Sequence, residues 1–505
     1  MPSYQERIKE FENNYTSAIN REVEDLSKTF DILFEQKDSK RILSTIQTAI
    51  SLLSKDFNIP TKMQLSYDIA GSYHDLREIE NTHNESHLEK ELYYHRNTLD
   101  LYESNFLYDD SIDDAESKVA KYIAMRTYTN LGNVFNTLGR YIAAIDCFQD
   151  ALLLSNDFSM ASLNLSYLLF RYAPLQLKSY EQNYFHHACY YYYKQTQKCK
   201  INLESQNYLD NLEKLISLFD PSYIKEYLNK PLDLPPFYVD NPVEAEYRDY
   251  LITFRLFLDP CLDILSDPCF AVDSINLPFD KLTTAREKEL AGLFNQIKQE
   301  YNLARYLWYK ISVEENGEHY IDRQLDLVNT GDCADHSFQE SLMRTSFKTA
   351  YALFDRIGYF INEYFQVGLT DTKISFKNVW KNQLCDRYGS VHFTVPNPIV
   401  STHSYNPMIN AMYWLQKDFF EDKKTNVTSP HAEKIFQMRN DMEHNCLRTG
   451  RPSYDVTFTK YTSAGKIEEG TYKLLKLARE LIIYLCLAVG FDRMKREKKI
   501  LEEEL

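Results

Sequence analysis

Chain breakers are scarce in this sequence. Its 505 residues hold 13 glycines and 16 prolines, too few for the many tight turns of an all-β fold, and this scarcity favours long helices. A basic excess is also missing. The 57 Lys and Arg face 73 Asp and Glu, leaving a net charge of −16. That excludes a uniformly basic coat for non-specific nucleic-acid binding, but not a single local site. The nine cysteines are dispersed, with no CxxC pair, which reads as free thiols in a reducing cytoplasm. Long apolar runs are absent. The longest, Leu481 to Phe491, follows Lys476, Arg479 and Glu480 and is too short for a bilayer. It reads as a buried core helix, with no membrane partner. The opening stretch MPSYQERIKEFENNY has no apolar centre, so no signal peptide is expected and the location is cytoplasmic.

What is plentiful is aromatic. The chain has 39 tyrosines and 29 phenylalanines, enough for aromatic packing to dominate the cores. The length suits two to four domains. The expected class is predominantly all-α. Residues 125–158 carry the clearest repeat unit: Tyr128, Leu131, Gly132, Phe135, Ala144, Phe148 and Ala151. Large residues recur at helical period, and the small Gly132 and Ala144 let two helices cross closely. This unit resembles a tetratricopeptide repeat (TPR), with Asn156 where the family has proline. Tyr67–Tyr73, Glu91–Leu99 and Leu163–Leu169 resemble further units. The resemblance implies a TPR-like helical solenoid over 1–175, with a generic helical hairpin bundle as the alternative. Residues 176–240 read as a helical connector. Tyr190 to Tyr193 suit either a stacking platform or buried packing. His186, His187 and Cys189 lack a second ligand pair, so no metal is expected. Pro231 to Pro236 is a rigid break.

From 241 onward the pattern is a helical domain. Asp259-Pro260 and Asp267-Pro268 are expected to end helical segments. A long amphipathic helix follows, ending near Val313, and another runs from about Ser337 to Val367. Val391 to Val395 is strand-like, and Pro407 opens a helix to about Phe420. Ser429 and Pro430 are expected to start the next helix, and Gly450 and Pro452 to end it. Asp455 to Thr471 reads as a small β-hairpin around Ser463-Ala464-Gly465, before a last helix from Tyr472 to about Lys499.

The helix after Ser429 contains Arg439-Asn440-Asp441-Met442-Glu443-His444. The spacing alone is weak, since Arg77–His83 and Arg387–His392 are similar pairs. Its context is stronger. Four principal helices, with Arg-Asn-x-x-x-His late in the third, resemble a HEPN domain, in particular the branch found behind bacterial TPR arrays. Phe254–Asp263, Ala304–Leu307 and Ala350–Asn362 are similar to three further motifs of that branch. The resemblance implies a HEPN-type bundle over 241–505 with metal-independent endoribonuclease activity. It implies no cofactor, an RNA substrate, a homodimer through the HEPN domain and a protein or peptide partner on the TPR array. It also implies a toxin or effector in phage defence by abortive infection. Arg439, Asn440 and His444 would be catalytic. An imidazole titrates near neutrality and suits general acid–base work, and a guanidinium fork suits phosphate oxygens. Asn440 would hold the phosphate or orient the imidazole. On an ideal helix, residues five apart point about 140° away from each other. Arg439 and His444 would then meet through a distorted helix end or through two chains. Asp441 and Glu443 would repel RNA, and Arg448, Arg451, Arg493, Lys495, Arg496, Lys498 and Lys499 are candidates to offset them. A non-catalytic TPR/HEPN scaffold is the alternative.

Overall fold

The computed structural model describes residues 13–81, 84–107, 114–199, 203–234, 238–279, 284–313, 319–334, 336–385, 391–394, 405–419, 428–452 and 454–504. The N-terminal half is a run of helical hairpins: α1 (Arg21–Glu35) with α2 (Ser39–Leu52), α3 (Ile59–Glu80) with α4 (Glu85–Asn105), α5 (Ala115–Thr137) with α6 (Tyr141–Leu154), and α7 (Ser159–Tyr172) with α8 (Ser179–Lys198). Side chains set the starts. Asn20, Asp38, Asn58, Asn84 and Asp114 each accept a backbone N–H from the helix that follows, worth about 1 kcal/mol apiece. First helices stack on one another, α3 on α5 and α5 on α7.

The unit expected over 125–158 lies on α5 and α6. Tyr128, Leu131, Phe135, Ala144, Phe148 and Ala151 are buried. A methyl group on Gly132 would sit 2.6 Å from the Phe148 ring, so this crossing needs a glycine. Hairpin pairing continues past residue 175, where α8 lies along α7 and Ser166 donates to the Cys189 carbonyl at 2.7 Å. In that packing Tyr190 and Tyr193 are buried and Tyr191 is exposed. His186 packs on Phe219, and His187 meets the Lys230 carbonyl. With Cys189 buried, the three candidate ligands have separate surroundings. A shorter helix, α9 (Leu203–Ile216), packs on α7. Pro235 and Pro236 lie outside the described residues.

The C-terminal region contains α10 (Pro242–Thr253), α11 (Ala285–Val313), α12 (Phe338–Phe365), α13 (Pro407–Gln416), α14 (Ala432–His444) and α15 (Ala464–Glu504). Its centre is α15. Leu481 to Val489 are wholly buried, and α11, α12 and α13 all pack on this helix. No helix among the described residues is long and apolar enough to cross a membrane. Both Asp-Pro pairs open turns; Asp259-Pro260 closes no helix, whereas Asp267-Pro268 directly follows a one-turn helix, Leu262–Leu265, capped at Ser266. α10 ends at Thr253, and Asp259 and Asp267 then accept the N–H of Cys261 and Cys269 at 2.9 and 3.0 Å, as aspartate does at turn starts. Two buried arginines brace this segment. Arg479 of α15 donates to the Phe257 and Asp259 carbonyls and to both Asp263 oxygens. Arg305 of α11 donates to the Leu256 carbonyl and both Asp273 oxygens. The stretches Phe254–Asp263 and Ala304–Leu307 thus serve internal support.

Strand β1 (Asn382–Cys385) pairs antiparallel with β2 (Val391–Thr394), Asn382 opposite Thr394. The second pair, β3 (Cys446–Thr449) and β4 (Thr459–Thr462), is parallel, with Cys446 opposite Thr459. The hairpin expected around Ser463-Ala464-Gly465 is therefore absent. Ala464 already begins α15, eight residues ahead of Tyr472, because buried Ile467, Thr471, Leu474 and Ala478 extend the helical stripe backwards. α13 likewise stops at Gln416, short of Phe420.

The array and the bundle meet along a polar seam formed by α4 and α6 on one side and α13 and α15 on the other. Arg140, 2% exposed, donates to Asp418 and to both Glu480 oxygens. Arg96 donates to both Asp418 oxygens at 2.6 and 2.7 Å. Lys417 pairs with Glu85 and Glu89, and Lys476 with Asp146. Gly139 (φ +82°) turns the chain between α5 and α6, where a methyl group would lie 2.6 Å from the Pro407 carbonyl. The turn that closes this hairpin is thus also the closest approach to α13.

Candidate active site

α14 is held on one face by Ala432, Ile435 and Met442, which are buried. Met438 lies against Gly470 of α15, where Phe347 of α12 also closes in. The helix starts later than expected. Ser429 closes a turn, accepting the His431 N–H at 3.3 Å, and the first helical residue is Ala432. It also ends earlier. Asn445 is extended and β3 follows at once, so the last helical residue is His444. Gly450 belongs to the end of β3, against the backbone of Cys333 and Ala334. The sequence signal was a real stop, but the stop of a strand.

The three candidate residues converge at this helix end within one chain. Arg439 Nη1 donates to Asn440 Oδ1 at 3.0 Å and lies 3.3 Å from His444 Nε2. The 140° offset describes Cα directions, and the long arginine side chain spans it, helped by the helix stopping at His444. Convergence therefore does not need a second chain. Because a guanidinium can only donate, this contact is a hydrogen bond only in the tautomer whose lone pair sits on Nε2. Tyr351 of α12 lies under the guanidinium, 5.5 Å from ring centre to Cζ; it belongs to the family-like stretch Ala350–Asn362, whose resemblance marks a bundle helix without a role at the site.

The acidic neighbours have local partners. Glu443 pairs with Lys348 of α12 at 3.4 Å, and Asp441 accepts from Asn445 at 2.8 Å. Most of the expected basic residues are committed elsewhere. Arg448 pairs with Asp332 at 2.6 Å, Arg493 with Glu287, Arg496 with Asp492, and Lys495 lies over Tyr405. From Gly470, where α14 meets α15, to Arg493 is roughly 35 Å of helix. The tail of α15 is too far away to act at His444. Arg451 lies beyond the far end of β3 and is exposed.

A different basic feature lies beside the motif. A groove of about 380 Å³ runs between α14 and the first turns of α15, lined by Lys434, Lys460, Lys466 and Lys473 with Asp441 and Tyr461. Lys473 pairs with Glu469. Lys434 acts on the Asp100 carboxylate from nearby, and among the described residues Lys460 and Lys466 form no ion pair. The groove follows the side of α14 away from Arg439 and reaches Asp441 within the motif. His431, at the head of α14, bonds Asp100 of α4 at 2.9 Å. That bond is the main reason the Asp100 carboxyl is held below its ordinary range. Of the two similar pairs, Arg77 is paired with Glu91, and His83 and Arg387 lie outside the described residues.

Residues 282–492 match the family model described as LA2681-like HEPN, which supports a HEPN domain in the C-terminal region. No curated protein and no solved structure matches the chain.

Proposed function

We propose that this chain is a metal-independent endoribonuclease whose catalytic residues are Arg439, Asn440 and His444. The observation that carries the reading is the convergence of guanidinium, amide and imidazole at the end of α14, inside a region that matches a HEPN family. RNA supplies its own nucleophile. An imidazole lone pair takes the 2′-hydroxyl proton, and the 2′-oxygen attacks phosphorus. The bond to the 5′-oxygen breaks, and the imidazolium so formed returns its proton to that oxygen as it leaves. The products are a 2′,3′-cyclic phosphate and a 5′-hydroxyl. Arg439 neutralises the crowded phosphate, and Asn440 holds the guanidinium or the phosphate. Lys434, Lys460 and Lys466 suit the flanking backbone.

The hairpin array serves as a TPR-like sensor or partner-binding arm, and the chain acts in the cytoplasm as a toxin in phage defence. That role follows from the resemblance to the HEPN branch behind bacterial TPR arrays. A homodimer through the HEPN domain fits the exposed Tyr320, Leu327, Val328, Val456 and Phe458 on the loops flanking β3 and β4.

The test compares wild type, Arg439→Ala and His444→Ala on total RNA with EDTA present. Both variants should lose roughly 10²–10⁴-fold in cleavage rate. Equal cleavage by all three, or none by any, would favour a non-catalytic scaffold. Monomeric behaviour under cleaving conditions would remove the dimer.

A further inference from the structure

A cavity of about 500 Å³ lies inside the array, walled by α1, α3, α4 and α5. Its charge is wrong for RNA. Asp31, Asp68, Asp75 and Glu91 line it, against Arg77 and Arg126. Arg77 is bound to Glu91, and Arg126 lies over Tyr67, 4.9 Å from the ring centre. Asp68 accepts from Ser27 and Gln64. Among the described residues the side chains of Asp31 and Asp75 have no hydrogen-bond or ion-pair partner. A second observation is independent of the carboxylates. His95 is 1% exposed and lines the same cavity, and its Nδ1 has no hydrogen-bond partner. Free carboxylates, an orphaned imidazole nitrogen and aromatic faces together suit one ligand chemistry.

We propose that this cavity binds an organic cation, an ammonium or guanidinium group, presented either by a basic side chain of a partner peptide or by a free polyamine. The proposal deepens the reading of the array as a binding arm and does not depend on the nuclease reading. An anionic ligand would meet unpaired carboxylates and is rejected. Helix α4 gives the site its place in the molecule. Glu91 and His95 face the cavity, whereas Arg96 and Asp100 on the same helix hold Asp418 and His431 of the bundle. The ligand would therefore sit one helix away from the head of α14.

The cavity also sets a pH dependence. Burial pushes the Asp68 carboxyl up to about 7 and the Asp75 carboxyl up to about 6, and Asp31 of α1 raises both. Around Asp68 stand Tyr15, Ser27, Gln64, Tyr67 and Arg126; around Asp75 stand His74, Glu78 and Glu91. A cation favours the ionised carboxylates, so binding should tighten as pH rises from about 6 to about 8.

The experiment uses the full chain carrying His444→Ala, so that cleavage plays no part. Spermidine, an arginine-containing peptide and ATP are titrated by calorimetry, with thermal unfolding in parallel. Spermidine or the peptide should bind one to one, weakening by about tenfold in Asp68→Asn and in Asp75→Asn. Both variants remove a desolvated charge and should fold, checked by circular dichroism; Asp31→Asn replaces either one that does not. Binding of the peptide alone identifies a protein partner, and of spermidine alone a small metabolite. Binding of neither cation, binding unchanged in the variants, or preference for ATP would overturn the proposal.

Discussion

The seam and the motif end of α14 use arginine in opposite ways. Arg140 is sealed between array and bundle, and Nε, Nη1 and Nη2 all go to bundle carboxylates. Arg439 is half-buried and gives one bond to an adjacent amide, with an imidazole beside it and a tyrosine ring beneath. The difference separates a charge that holds the molecule together from a charge left with donors to offer. A buried ion pair adds little over an apolar core, but breaking it strands the partner charge. A half-exposed arginine without a carboxylate partner adds little stability.

Substitution at the two positions gives the largest contrast. Arg140→Ala leaves Asp418 and Glu480 buried beside each other, and should cost about 3–5 kcal/mol in denaturant unfolding. Arg439→Ala should change the same measurement by less than about 1 kcal/mol while removing cleavage. Similar losses of stability would mean that Arg439 is also structural. An unchanged midpoint in Arg140→Ala would mean that the seam is not a stabilising element.

The acid limb of stability offers a second way to break the comparison. Burial would raise the Asp418 carboxyl, but Arg140 and Arg96 hold it at about 2, below its ordinary value. Its contribution is complete above an unfolded value near 4 and is lost as pH falls through about 2. The difference is worth about 2 kcal/mol. Between pH 4 and pH 2, stability should fall more steeply in the wild type than in Asp418→Asn. Parallel curves would show that the seam does not titrate. Within the array, Gly132→Ala forces a methyl group into the Phe148 ring and should cost about 1–3 kcal/mol. A neutral result there would show that the crossing of α5 and α6 can relax.

How far the sequence revealed all this depends on distance along the chain. Gly132 and Phe148 are close enough for their pairing to be read from helical spacing, and Ser337 marks the start of α12 as expected. The motif residues were legible as types, but which of the two routes brought them together was not, because a direction computed at Cα ignores the reach of an arginine. The seam was invisible. Arg140 and Asp418 are far apart in sequence, and neither has a local pattern that names the other. The parallel pairing of β3 with β4 was likewise hidden, since it crosses an intervening loop while the nearby Gly450 and Gly465 suggested a helix end and a turn. The cavity in the array was missed because its carboxylates come from three different helices.

The lysine groove provides the smallest and most selective test. Lys434, Lys460 and Lys466 are basic like Arg140, yet among the described residues none is locked in an ion pair. If they track an RNA backbone, each should release counterions on binding. Each Lys→Ala change should then reduce the slope of log affinity against log salt by about one, measured with His444→Ala to prevent cleavage. Stability should stay within about 0.5 kcal/mol of the parent, as for surface changes in general. Lys417, which is tied to Glu85 and Glu89 in the seam, supplies the control: replacing it should leave the salt slope alone and lower stability. If the Lys417 variant reduced the slope and the groove variants did not, RNA would be entering from the side of the array, and the groove beside α14 would be only a solvated helix face.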